Sequence, residues 1–428
     1  MTTQGVRSHR AGGPRRPAAR DRRPADQASR WRTALRVAAL VLLGLVALGL
    51  VVAAVTAVAP ATELLGAGAS PIVVVVYGPL LALVGVVACV EAWVLLRVLR
   101  WAPATVRRVT TAVAAVTTVA TLVLLGAVGA VLTATLANGG SVDVGRALAL
   151  SGPPAGAGPD ERPVYGAGPD GALLHLAVTR PRGATGPAPV LVWVHGGGWT
   201  TGSELDRAAD LRRFADAGWL AVSVEYTLAT PGRPTWDVAA PQVACALSRV
   251  AERAAADGGD PRRIVLAGDS AGGQLAVTVG ERAASGTQPS ACASPLGVPV
   301  PRAIATLYPA VDLADTWTNG RGGQRPALTY TGGTPDQVPD RYRAVAGASA
   351  LAPGGPPVLA IVPARDRLVP PGGTARFVET ANGSGVEAVR VTVPFADHAF
   401  DVGPDGSLGH QAAFSVLERW ATERINIP

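Results

Sequence analysis

Gly268-Asp269-Ser270-Ala271-Gly272-Gly273 follows the apolar run Ile264-Val265-Leu266-Ala267 and precedes the helix-like run Gln274-Leu275-Ala276-Val277-Thr278-Val279. In order, this reads as strand, tight turn and helix, with a serine at the apex. The glycines are required because the backbone at such a turn is strained and the strand and helix crowd each other. The strain holds the serine oxygen above the sheet, where a base and a substrate can both reach it. In a chain with 51 glycines the five-residue pattern alone is weak. Its meaning depends on the flanking strand and helix and on its partners.

Outward from this turn, short β-type runs alternate with helix-type runs. The β-type runs are 172–179, 189–194, 220–226, 264–267, 303–308, 358–362 and 389–393. Helix-type runs lie near 204–217, 238–256, 271–284, 373–382 and 408–424. Several β-type runs are continuously apolar, as in a sheet covered on both faces. The alternation predicts an α/β fold with a mostly parallel sheet.

His195-Gly196-Gly197-Gly198-Trp199 stands directly after the run 189–194. Three consecutive glycines let backbone N–H groups approach a substrate and converge on a developing oxyanion. Gly197 and Gly198 are the candidate donors, joined by the N–H of Ala271. A serine needs a base, usually a histidine held by a carboxylate. Of five histidines, His9 lies near the N-terminus, His175 in an early strand, His195 in the glycine motif and His410 on an expected surface helix. His398 lies in the loop after the late strand 389–393, where such a sheet builds its site. Asp366, just after the strand 358–362, is the candidate acid, with Asp312 the alternative. The order Ser270, Asp366, His398 is the one that accompanies this elbow.

These motifs, together with the Asp366-Arg367-Leu368-Val369-Pro370 and Asp397-His398-Ala399-Phe400 stretches, resemble the α/β-hydrolase esterases over about residues 160–425. The closest groups are the hormone-sensitive-lipase-like and the acetyl-xylan or feruloyl-esterase-like branches. The resemblance implies an α/β-hydrolase fold with Ser270 as nucleophile, His398 as base and Asp366 as orienting acid. It implies an oxyanion hole from Gly197, Gly198 and Ala271, with no cofactor and no metal. Three departures stand out. Pro363 occupies a position where relatives often carry Gly, and Pro241-Gln242 stands where they usually have Asp. Residues 315–345 replace a compact connection and are expected to cover the site.

The front of the chain is different in kind. Residues 1–137 hold 14 of the 38 arginines and 4 of the 31 acidic residues, and the chain contains no lysine. The basic balance therefore belongs to the front, and the slightly acidic remainder lacks the basic face of a nucleic-acid-binding domain. Three uncharged or nearly uncharged runs follow a basic leader: 37–62, 64–96 and 109–142. Each is long enough to cross a bilayer. Glu91, near one end of the second run, is expected to pair with Arg97. Arginines crowd the leader and the link holding Arg97, Arg100, Arg107 and Arg108, which places those segments in the cytoplasm. The expected organisation is a disordered cytoplasmic leader (1–36), three transmembrane helices (37–137), a Gly/Pro-rich tether (138–160) and an outer catalytic domain (161–428).

Cys245 and Cys292 fall in the outer domain, where a disulfide would persist, although spacing leaves their pairing open. The residues point to a multi-pass membrane serine esterase acting on a small-molecule or cell-envelope ester, with the bilayer as its other partner. An acyltransferase using the same residues and a catalytically silent sensor domain are the competing readings. A serine peptidase fits less well, since Ala271 follows the nucleophile where those enzymes usually place an aromatic residue.

Overall fold

The structure is a computed structural model that describes residues 1–2, 23–58, 72–152, 158–183 and 185–426. Helix α1 (Arg23–Val58) starts within the leader expected to be disordered, whose residues 3–22 lie outside the described set. Pro24 in the first turn, followed by Ala, Gln and Arg, suits a helix start. A π-helical turn (Ile72–Val76) leads into α2 (Gly78–Val98), and α3 (Ala104–Ala137) follows. All three helices are long and apolar enough to cross a membrane. Leu83, Val86, Val87, Val90 and Val94 of α2 point outward, leaving an apolar belt that lipid would cover. Among the described residues Glu91 makes no ion pair with Arg97, whose guanidinium instead lies 4.5 Å from the Trp93 ring centre.

The expected tether is docked where it is described. Short helix α4 (Val144–Ala149) is capped by the Asp143 carboxylate. Ser141 and Asp143 donate their backbone N–H groups to the side chains of Ser415 and Gln411. These side chains satisfy backbone groups that a slack linker would leave to water.

Eight strands form one sheet: β1 (Val164–Ala167), β2 (Leu173–Thr179), β3 (Ala188–Val194), β4 (Leu220–Val224), β5 (Gly259–Asp269), β6 (Ala303–Leu307), β7 (Val358–Pro363) and β8 (Ala388–Val393). Their spatial order is β1-β2-β4-β3-β5-β6-β7-β8. The β1–β2 and β2–β4 pairs are antiparallel and the rest parallel, as expected for a mostly parallel sheet. Strand β1, four residues at the edge of which only Tyr165 is buried, gave no apolar signal in the sequence.

Helices α5 (Ala208–Asp216), α6 (Ala239–Arg253), α7 (Ala271–Ala284), α8 (Leu313–Asn319), α9 (Gln324–Thr331), α10 (Pro339–Val345), α11 (Pro371–Gly383) and α12 (Leu408–Ile425) complete the domain. Strands β3, β6 and β7 and the second half of β5, from Ile264, are buried on both faces, with one core cluster on each side of the sheet. One cluster contains Ala57, Val74, Val75, Val76, Val128 and Val131 beside Phe400, Leu408 and Phe414. These parts of the apolar segments are thus part of the domain's own core.

Cys245 on α6 and Cys292 in the loop before β6 form a disulfide, with Cα atoms 5.4 Å apart. Gln242 replaces the expected acid on α6. Its amide accepts from the Thr227 N–H and donates to the Thr227 hydroxyl, both at 2.8 Å. The amide oxygen therefore supplies an acceptor where the resemblance leads to the expectation of a carboxylate.

Candidate active site

Ser270 lies between β5, the central strand, and α7. Its φ of 52° and ψ of −115° are strained for a residue with a side chain. A Cβ at Gly268 would come within 2.6 Å of the Gly272 and Val194 carbonyl oxygens, and one at Gly272 within 2.0 Å of Val194 O. The glycines are therefore a packing requirement of the turn. The Ser270 N–H donates to Leu307 O at 2.9 Å, which ties the turn to β6.

The structure brings the three sequence candidates into one hydrogen-bonded chain. Ser270 Oγ is 2.9 Å from His398 Nε2, and His398 Nδ1 is 2.8 Å from Asp366 Oδ2. The other Asp366 oxygen accepts from the N–H groups of Leu368 and Val369 at 3.0 and 2.8 Å. Those bonds fix the carboxylate beneath the imidazole despite Pro363 at the end of β7. The alternative acid, Asp312, caps α8 and pairs with Arg376, so it takes no part. Asp397 holds the base loop instead, accepting from the Arg367 N–H and from its guanidinium.

Gly197 and Gly198 have φ values of +95° and +58°, and a Cβ on Gly197 would stand 2.1 Å from Thr201 O. Among the described residues the N–H groups of Gly197, Gly198 and Ala271 donate to no loop carbonyl or side chain. Three orphan donors on the two segments that flank Ser270 can bind an oxyanion. His195 is buried, stacked 4.3 Å from the Tyr226 ring, with Nδ1 2.8 Å from Gly196 O. Its burial lowers its pKa and keeps it neutral, so it shapes the glycine loop.

Residues 315–345 fold as α8, α9 and α10 and rest on both sides of the site. Pro326 closes on Gly198, Tyr330 stacks 4.3 Å from Trp199, and the Arg321 N–H donates to Arg367 O. The cover therefore bridges the oxyanion loop and the acid loop.

Sequence reasoning missed a buried ionic network behind the site. Arg207 Nη1 is 2.7 Å from Asp401 Oδ2, and Nη2 donates to Tyr308 OH at 3.0 Å and lies 3.4 Å from Asp269 Oδ2. Tyr308 OH donates to Asp401 Oδ1 at 2.6 Å, and its ring packs 4.7 Å from His398. Burial alone would lower the Arg207 pKa, but Asp401, Tyr308, Asp269 and Asp210 outweigh it and hold the guanidinium charged. His410, expected on the surface, is buried 2.7 Å from Asp210 in the same network. Its helix face meets α5 rather than solvent. No local pattern marks this network, because its members lie far apart in the chain.

The BD-FAE family model matches residues 176–380. Esterase LipC of Mycobacterium tuberculosis is 30% identical over 222 residues, covering 51% of this chain and 54% of LipC. Esterase LipQ of the same organism is 30% identical over 220 residues, covering 50% of this chain and 51% of LipQ. The chain thus spans about half the length of these two curated relatives. Thermogutta terrifontis esterase 2, solved after reaction with tabun, superimposes with a TM-score of 0.53 at 21% identity, covering 63% of this chain and 96% of that one. Its propionate-bound form gives 0.52 at 23%. The fold is that of the α/β-hydrolases. Within this α/β-hydrolase domain, Ser270, Asp366 and His398 occupy loops leaving the C-terminal edge of the sheet, after β5, β7 and β8.

Proposed function

We propose that the chain is a membrane-anchored serine carboxylic-ester hydrolase with its catalytic domain on the outer side. The observation that carries this reading is the continuous Ser270–His398–Asp366 hydrogen-bonded chain beside three unpartnered N–H donors. The esterase names of LipC and LipQ support the same chemistry.

Ser270 Oγ attacks the ester carbonyl carbon while His398 Nε2 takes the hydroxyl proton. Asp366 stays ionised and stabilises the imidazolium through Nδ1. The carbonyl oxygen becomes an oxyanion held by Gly197, Gly198 and Ala271 N–H groups, whose fixed directions need no reorganisation. Collapse of the tetrahedral state breaks the bond to the alcohol, which leaves with the proton from His398, and an acyl-serine remains. Water then attacks with His398 as base, and the acid and free Ser270 are regenerated. Tyr308 and the Arg207 network set the orientation of the His398 ring from behind.

The three apolar helices support the anchor, and the Cys245–Cys292 bond suits an oxidising compartment. The test is hydrolysis of nitrophenyl esters of graded chain length by the full chain in detergent. Turnover that disappears in Ser270→Ala supports the reading. Equal turnover by parent and Ser270→Ala would overturn it.

A further inference from the structure

The docking of the apolar helices onto the domain fixes which edge of the sheet faces the membrane. Helix α2 has 21 residues and is about 31 Å long, which matches a hydrocarbon core of about 30 Å. With Arg97 at its inner end, Gly78 lies at the opposite boundary. Val128 of α3 is level with it, since a Cβ on Gly78 would come 2.9 Å from Val128 Cγ2. The segment from Val128 to Ala137 therefore rises out of the bilayer.

Along that rise the neighbours on α12 change in order. Near the boundary, Val75 faces Gly409 in the first turn of α12, with its Cβ 3.0 Å from a Cβ placed there. Farther out, Gly139 meets Arg419, and Asn138 and Gly139 line a crevice with Val389, Trp420 and Glu423. Moving away from the membrane thus means moving from the N-terminus of α12 to its C-terminus. Strand β8 runs opposite to α12, because Arg424 near the end of α12 pairs with Glu387 just before β8. The C-terminal ends of the parallel strands, which carry Ser270, Asp366 and His398, point at the bilayer.

Both partner loops touch the membrane helices directly. Arg365, adjacent to Asp366, donates to the Ala57 carbonyl in the last turn of α1 and lies 5.0 Å from the Phe395 ring. Gly403, five residues after His398, sits against Val76. Leu205 after β3, Leu328 on the cover and Val402 on the base loop are exposed apolar side chains on segments of this same edge, Val402 at 60%.

We infer that the substrate is a lipid ester held in the leaflet beneath the catalytic edge, its ester group presented to Ser270 at headgroup depth. This rests on reading Ser270 as the nucleophile and α1–α3 as membrane spans. An enzyme facing water would have to draw each acyl chain out of the bilayer, at a cost that grows with every methylene. A site facing the boundary needs only to raise the ester group and can leave most of the chain in lipid.

The experiment uses the full chain in nanodiscs with two fluorogenic umbelliferyl esters, a water-soluble butyrate and a bilayer-partitioned oleate. Oleate cleavage should follow its mole fraction in the lipid and fall in proportion when the lipid is diluted with inert phospholipid at constant bulk concentration. In a Cys89→Ala background, a spin label at Val402→Cys should be shielded from an aqueous relaxant, and one at Arg262→Cys, on the opposite edge, should be accessible. Butyrate cleavage with no oleate cleavage, or equal accessibility of the two labels, would overturn the inference while leaving the esterase reading intact. Cleavage of neither ester would overturn the esterase reading itself.

Discussion

The guanidinium of Arg207 lies 2.7 Å from the carboxylate of Asp401, and this buried pair joins the segment entering α5 to the loop that carries His398. Asp269, next to Ser270, and Tyr308, against the His398 ring, complete the cluster. The cluster makes the base loop and the elbow one mechanical unit.

Removing the cation should therefore be severe. Arg207→Leu leaves Asp401 and Asp269 buried without their counter-ion, a loss of about 3–5 kcal/mol for a broken buried pair. Thermal unfolding of the full chain in detergent checks it. Arg207→Lys keeps the charge but cannot reach Asp401 and Tyr308 together. It should fold, with kcat lower by roughly 10–100-fold from misplacement of His398 and KM nearly unchanged. An Arg207→Leu variant as stable as the parent would rule out this role.

Asp366→Asn keeps the shape of the acid loop but changes which His398 nitrogen carries the proton. The N–H groups of Leu368 and Val369 can still bond the amide oxygen. Stability should change little, whereas kcat should fall on the order of 10³–10⁴-fold. Asp312→Asn, at the alternative acid, should leave kcat unchanged within about twofold. Steady-state kinetics on a short-chain ester compares the two.

Glu281 on α7 is fully buried, neither carboxylate oxygen has a hydrogen-bond partner among the described residues, and desolvation raises its pKa to about 8. The folded state therefore keeps a proton that the unfolded chain releases near its ordinary pKa of 4.5. Below that value both states are protonated and the site has no pH slope. Between 4.5 and about 8 its contribution falls as pH rises, by up to about 1.4 kcal/mol per unit. Glu281→Gln should flatten the fall in unfolding temperature over that window. An unchanged slope would assign the dependence to other groups.

The candidate site was largely legible because its residues sit in short local patterns. The glycine run after β3, the elbow after β5 and the loops after β7 and β8 each carry their own signal, and chain order links them. Arg207 was not legible, since Asp269, Tyr308 and Asp401 come within its reach only through the tertiary fold. His410 was misjudged for a similar reason. Its place on a terminal helix suggested solvent, and burial by α5 cannot be read from α12 alone. The fold was legible where strands are continuously apolar and lost at β1, a short edge strand. The seat of the domain on the three apolar helices was the least visible feature. It depends on Val75 meeting Gly409 and on Arg365 reaching the Ala57 carbonyl, and no spacing encodes either contact.

The most direct test of the central claim is labelling of intact cells with a membrane-impermeant fluorophosphonate, with parent and Ser270→Ala expressed at equal levels. Covalent labelling of the parent alone, before lysis, is the predicted result, since only an activated serine on the outer side would react. Equal labelling of Ser270→Ala, or no labelling of the parent before or after lysis, would contradict the assignment of Ser270 as the nucleophile. Labelling of the parent only after lysis would contradict the outward orientation.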